Sequence, residues 1–266
     1  MKAMILAAGR GERMRPLTDT CPKPLLQVKG VPLIEYHIKN LVAAGIKDIV
    51  INYAWLGQKL VEYLGNGAQY GANIEYSEEK VALETAGGII KALPLLTQND
   101  DVFVVVNGDV YTDYCYINLF SEVSPNLPLG LQQFPEAFDA HIMLVENPEH
   151  NLKGDFQLED GRLVNPEHTE QRTYTFSGIA VYHQRFFEPS FKQDSKQALS
   201  EKTLSEKTAV EQTTAEQTPP EQGAAIQKLA PMLRASADKR RISASVLNAA
   251  WTDVGTPERL AKLNEC

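Results

Sequence analysis

Basic excess, a cysteine framework and a long apolar run are all missing from this sequence, and each absence removes a class of protein. With 26 Lys and Arg against 34 Asp and Glu, the formal net charge is -8 and the pI is near 5.2. Nucleic-acid surfaces are usually basic, so no nucleic-acid partner is expected. The three cysteines, Cys21, Cys115 and Cys266, are widely spaced and odd in number. Neither a disulfide framework nor a Cys-type zinc site is indicated, and a reducing cytoplasm is the expected setting. No apolar stretch reaches the about 18 residues of a membrane span. The first apolar run starts almost at Met1, with no basic-then-apolar leader, so the chain is expected to be neither secreted nor membrane-bound. The 266 residues exceed one typical domain of roughly 100–200 residues, but α/β units often run longer. One domain carrying an insertion is expected, monomeric rather than oligomeric.

The chain is organised around Met4–Leu25. Met4 to Ala8 is a short apolar run ending at glycine, as in a strand buried on both faces of a mostly parallel sheet. Gly9 and Gly11 remove the side chains that would hold a ligand away from the backbone, so successive amides can turn towards an anion. Arg10, Arg13 and Arg15 add fixed positive charge, and Lys23 presents an ammonium between Pro22 and Pro24. A phosphate cradle satisfies this pattern; so, on the two glycines alone, does a tight surface turn with scattered basic residues. A dinucleotide fingerprint fails, because Met14 stands at its third glycine and Asn52 follows strand two where an acid is needed. A Walker loop is absent.

Further along, Pro32 opens a helix that ends at Gly45, Asp48–Asn52 reads as a strand, Gln58–Leu64 as a helix stopped by Gly65, and Asn73–Ser77 as a strand. This βαβαβ order predicts an α/β fold: a Rossmann-like, mostly parallel central sheet flanked by helices, with ligands beyond the strands' carboxyl ends. Gly87 and Gly88 precede an apolar helix at Ile89–Leu93, as an ordinary capped helix also would. Asp101–Asn107 is the strongest buried strand, followed at once by Gly108-Asp109. Asn107-Gly108 could make a hairpin turn, whereas a carboxylate just past a central parallel strand is where such enzymes hold Mg²⁺.

From Leu129 the pattern turns to extended segments: Leu129–Phe134, Ala140–Val145, Asp155–Leu158, Arg162–Val164 and Ser177–Tyr182. This extended part, added to the nucleotide-binding half 1–128, is expected to hold a second substrate. Glu146, Asn147, Asp155 and Ser177 could accept from sugar hydroxyls or simply serve turns. The stretch 192–223 repeats Leu-Ser-Glu-Lys-Thr twice in succession and has almost no large apolar residues. It is read as a low-complexity insert outside the core, with no catalytic role. A short helix is expected at Ile226–Leu233, and Thr256-Pro257-Glu258 is a helix start, which leaves Asp253 open as a turn residue.

The longer pattern Leu-Ala-Ala-Gly-x-Gly-x-Arg-Met-x-Pro-Leu-Thr with Pro-Lys-Pro-Leu, together with Trp-x-Asp-x-Gly-Thr-Pro at Trp251–Pro257, resembles the sugar-1-phosphate nucleotidyltransferases. The likeness extends through Pro32–His37, Asn52–Gln58, Leu83–Thr85, Asn107–Tyr114, Gly154–Phe156 and Phe176–Ile179, and is similar to bacterial uridylyltransferases acting on N-acetylmuramate 1-phosphate. The resemblance implies the nucleotide-diphospho-sugar transferase fold, with UTP and a sugar 1-phosphate as partners and Mg²⁺ as cofactor. It implies that Gly11, Glu12, Arg13, Gly87, Gly88 and Asn107 meet the nucleotide, that Arg15 and Lys23 carry catalysis on the phosphates, that Asp155 meets the sugar, and that Asp109 and Asp253 hold the metal. Guanylyl transfer to mannose 1-phosphate, uridylyl or thymidylyl transfer to a hexose 1-phosphate, and a non-catalytic nucleotide-sugar sensor are the other readings of the opening motif. A phosphate oxygen attacking the α-phosphorus is already anionic, so no general base is demanded. Offsetting the repulsion of two polyanions calls instead for metal, Arg, Lys and backbone amides.

Overall fold

The computed structural model describes residues 1–123, 134–166, 172–188 and 225–265. The expected insert 192–223, nearly all of the extended segment Leu129–Phe134 and Cys266 lie outside the described residues. Among the described residues there are thirteen strands: β1 Lys2–Leu6, β2 Gln27–Val28, β3 Val31–Pro32, β4 Asp48–Tyr53, β5 Asn73–Glu78, β6 Val102–Asn107, β7 Val110–Thr112, β8 Ala140–Val145, β9 Gln157–Glu159, β10 Arg162–Val164, β11 Thr175–His183, β12 Ile242–Val246 and β13 Trp251–Asp253. The helices are α1 Leu33–Ala43, α2 Gly57–Leu64, α3 Glu84–Leu96, α4 Asn118–Val123, α5 Leu229–Asp238 and α6 Pro257–Glu265.

Nine strands form one sheet in the order β5-β4-β1-β6-β11-β8-β12-β10-β9. The β5-β4-β1-β6 block is parallel throughout, and along the whole sheet only β10 and β11 run against the rest. Period-2 alternation divides the strand side chains between two cores. Ala3, Ile5, Ile49, Ile51, Val104 and Val106 face α1, α2 and α4. Met4, Val50, Phe103, Val105, Ile142 and Ala180 face α3 and α5. Both faces are therefore covered, and this is why β1 and β6 read as continuous apolar runs.

Three local differences from the sequence reading have physical causes. β1 stops at Leu6, because the Ala7 amide leaves the ladder and donates to Asn52 Oδ1 at 2.8 Å. Gly87 and Gly88 lie inside α3, not in a loop before it; the helix begins at Glu84 and runs through Pro94 to Leu96. Asn107-Gly108 makes no hairpin, since β7 pairs with β13 and not with β6.

Two buried histidines give the fold a pH signature. His37 on α1 shares a 2.7 Å hydrogen bond with the Tyr116 hydroxyl, and His141 on β8 one of 2.9 Å with Ser243. Burial pushes both down to about 4. Unfolded, each takes a proton near pH 6.5, so the stability each neutral ring contributes is complete above that pH and is lost as pH falls towards 4. The loss is about 3 kcal/mol per ring at the acid end. Urea unfolding is expected to weaken steeply between pH 6.5 and 4.5, with roughly half the slope in His141→Gln. A flat wild-type profile over that range would contradict the assignment.

Candidate active site

Register places the site. Leu6 at the carboxyl end of β1 pairs with Asn52 on one side and Asn107 on the other, so three parallel strands bring their carboxyl ends to one line. A cleft of about 530 Å³ opens there, lined among others by Gly11, Glu12, Arg13, Lys23, Asn107 and Asp109. These are six of the residues singled out from sequence.

The glycine loop forms one wall. Gly11 has φ 67°, a conformation that L side chains rarely adopt, and a Cβ there would sit 3.0 Å from Thr18 Cγ2. The Thr18 hydroxyl donates to the Gly11 carbonyl at 2.8 Å, which ties the loop back on itself. Met14, fully buried, anchors the following turn in a small core with Leu26, Val28, Leu33, Val254 and Leu260. Burying such a side chain stabilises by roughly 1.5–3 kcal/mol. The same core seats the β13-α6 segment against the loop.

Lys23 is 8% exposed, and its ammonium lies 2.5 Å from Asp109 Oδ2. Asp109 follows β6 directly. Its carbonyl accepts from the Val254 amide at 2.8 Å, and Val110 pairs with Asp253 across β7 and β13. Residues 144 positions apart in sequence thus become backbone neighbours at the mouth of the cleft. Asp253 Oδ1 accepts from Arg259 and lies 3.0 Å from His150 Nε2. Among the described residues no cluster of three or more His, Cys, Asp or Glu side chains could hold a metal. Two hard carboxylates on linked backbone segments nevertheless suit a Mg²⁺ that completes its shell with phosphate oxygens and water.

Other sequence-singled residues lie apart. Arg15 is exposed and pairs with Asp19 at 3.0 Å, away from the cleft lining. Gly87 and Gly88 sit behind the wall formed by Ala82, Glu84 and Thr85. The Ala86 and Gly87 amides at the start of α3 donate to the Gln227 carbonyl at 3.0 and 3.1 Å. Asp155 has both oxygens engaged, Oδ1 by Asn151 at 3.2 Å and Oδ2 by the Phe176 amide at 2.9 Å.

Five residues around the site were not singled out from sequence. Asn52 and Glu79, each 3% exposed, share a 2.7 Å hydrogen bond in the cleft; Asn52 also holds Ala7, and Glu79 the Leu83 amide at 3.0 Å. A Cβ at Gly88 would intrude on both, 2.6 Å from Glu79 Oε1 and 2.8 Å from Asn52 Nδ2. Their signal was position: Asn52 stands near the carboxyl end of β4, beside β1, and Glu79 just past the end of β5, the next parallel strand out. Glu84 lines the cleft with φ 62°, a costly backbone for a non-glycine residue and of the kind that collects at functional sites. Arg259 and His150 complete the surroundings of Asp253.

Sequence comparison agrees with this geometry. A profile of the nucleotidyl transferase family matches residues 2–126. The chain is 44% identical over 261 residues to the N-acetylmuramate alpha-1-phosphate uridylyltransferase of Neisseria meningitidis serogroup B, covering 98% of this chain and 95% of that protein. It is 41% identical over 120 residues to a mannose-1-phosphate guanyltransferase of Yarrowia lipolytica, covering 45% of this chain and 33% of that one. In fold it is similar to a Bacillus anthracis protein assigned as a glucose-1-phosphate thymidylyltransferase, with TM-score 0.73 at 20% identity, covering 100% of this chain and 94% of that one. By its near full-length likeness to the meningococcal enzyme, with the glycine loop, Lys23 and Asp109 on one cleft, the chain belongs to the nucleotidyl transferase family.

Proposed function

We propose that this chain joins UTP to N-acetylmuramic acid α-1-phosphate, giving UDP-N-acetylmuramate and pyrophosphate, as a cytoplasmic step that returns recycled peptidoglycan sugar to use. The carrying observation is the 44% identity that spans 98% of this chain and 95% of a uridylyltransferase for that sugar. The guanylyltransferase likeness covers 45% of this chain and 33% of that protein.

In this reading the sugar phosphate attacks the α-phosphorus of UTP in line, and pyrophosphate leaves. The Gly11–Arg13 backbone and the Arg13 guanidinium hold the triphosphate, and the Lys23 ammonium bridges its phosphates. Arg15 exchanges Asp19 for the departing pyrophosphate. Asn107 meets the nucleotide, while Gly87 and Gly88 act on it at one remove, by letting α3 pack closely enough to set Glu84 and Thr85 on the cleft wall. Asp155 shapes the sugar side by fixing Asn151 and Phe176. Asp109 and Asp253 would hold Mg²⁺, which when bound supplies charge neutralisation for the phosphates.

The test is catalytic efficiency across pairs of substrates. UTP with N-acetylmuramic acid α-1-phosphate is expected to exceed GTP with mannose 1-phosphate, and UTP or dTTP with glucose 1-phosphate, by at least tenfold in kcat/KM. Equal or reversed efficiencies would move the assignment to one of those pairs.

A further inference from the structure

Asp253 is gripped by two basic groups on a single oxygen. Its Oδ1 accepts from Arg259 Nη1 and lies 3.0 Å from His150 Nε2, and Arg259 Nη1 is itself 3.0 Å from that ring nitrogen. Arg259 stands in the first turn of α6 with its side chain only 19% exposed. Its route to Asp253 passes Gly255, which lines the nucleotide cleft. A Cβ at that position would be 2.6 Å from Arg259 Nη2 and 3.1 Å from Asp253 Oδ2. With no side chain at residue 255, the guanidinium reaches the carboxylate in this position unobstructed.

The arrangement has a counterpart. Lys23 covers one oxygen of Asp109 as Arg259 covers one of Asp253. Lys23 belongs to the glycine loop, on the triphosphate side. Arg259 comes from α6, which packs on β2 and the small core under the glycine loop, and it meets His150 from the turn after β8, in the antiparallel half. Joining two polyanions needs positive charge on both sides of the reacting phosphorus, and Lys23 lies on one side only.

Resting on the function proposed above, we infer that Arg259 is the cation for the phosphate of the sugar 1-phosphate. In the free protein it is parked on Asp253; when Asp253 takes up the metal, the guanidinium turns to the incoming phosphate. A planar guanidinium suits both partners, since its paired N–H donors match carboxylate and phosphate oxygens alike. The exchange leaves no bare charge in either state. It also makes Arg259 and the metal competitors for one carboxylate oxygen, so loss of the guanidinium should act in opposite directions on the two ligands.

That opposition is the test. In full-length Arg259→Gln, Mn²⁺ binding without substrates, read by electron paramagnetic resonance, is expected to tighten several-fold. KM for whichever sugar 1-phosphate the wild type turns over is expected to rise tenfold or more, with KM for UTP within twofold. Arg259→Lys keeps the charge without the planar fork and should recover part of the sugar-phosphate KM; melting temperatures control for folding in both variants. Weaker Mn²⁺ binding, or UTP and sugar 1-phosphate KM rising together, would reduce Arg259 to a prop for Asp253 and overturn the inference. A wild type that fails with N-acetylmuramic acid 1-phosphate but uses another sugar 1-phosphate would sink the substrate assignment and leave this measurement intact.

Discussion

Asp109→Asn and Asp253→Asn are each expected to lower turnover by about 10²–10³-fold or more, and the double variant to lose little beyond the worse of the two. Asn keeps the size of Asp and retains an oxygen that can accept from Lys23 at 109 or from Arg259 at 253. What disappears is the negative hard-oxygen donor. Loss of one preorganised electrostatic contact commonly costs on the order of 10²–10³ in turnover, and a metal ligand should cost at least that. The two positions are joined through the Val254–Asp109 backbone bond and the Val110–Asp253 pairing, so in the proposed reading they would serve one ion. Groups acting as a unit are not additive. Turnover against Mg²⁺ concentration for the three variants, with melting temperature as control, measures this. Near-wild-type turnover in either single variant, or a melting temperature that falls as steeply as activity, would return that aspartate to a turn role.

Lys23→Gln is expected to lower turnover on the order of 10²–10³-fold with little change in melting temperature. The ammonium is set by local structure before any ligand arrives. Pro22 and Pro24 restrict the backbone, and the Leu25 and Leu26 amides close a tight turn on Pro22 and Lys23 at 2.9 and 3.0 Å. With the side chain nearly buried against a half-exposed Asp109, its charge is aimed into the cleft. Removing it leaves the half-exposed Asp109 in contact with water, so folding should lose little, while in the proposed reading the phosphates lose a fixed cation. Rapid-quench single-turnover rates separate this from product release. A variant slowed less than fivefold would remove Lys23 from the chemistry.

Much of the nucleotide half was legible in sequence because its signals are local. The Val102–Asn107 run and the glycines that follow the first two helices, Gly45 and Gly65, are contained within single windows. β12 was missed for the opposite reason. Its Ile-Ser-Ala-Ser-Val sequence is short and half polar, and it becomes a strand by pairing with β8 and setting Ser243 against His141. β7 and β13 are three residues each and exist only because they meet, a contact that no local pattern encodes. The glycines of α3 misled for a related reason: glycine is a weak helix former, yet the close approach of the Ala225 carbonyl at Gly87, and of Glu79 and Asn52 at Gly88, leaves no room for a side chain. Site residues followed the same division. Lys23 and Asp109 were visible in motifs, whereas Asn52 and Glu79 acquire their place from strand register, and Arg259 from the packing of α6.

The central claim is that this cleft forms a nucleotide-sugar from two phosphorylated substrates. Phosphorus NMR of the full-length protein with Mg²⁺, UTP and N-acetylmuramic acid α-1-phosphate tests it most directly. Pyrophosphate and a UDP-sugar are expected to appear in equal amounts, neither is expected when either substrate is omitted, and Asp109→Asn is expected to abolish both signals on the same time scale. Tight UTP binding with no pyrophosphate from any sugar 1-phosphate supplied would contradict it and mark the protein as a nucleotide sensor.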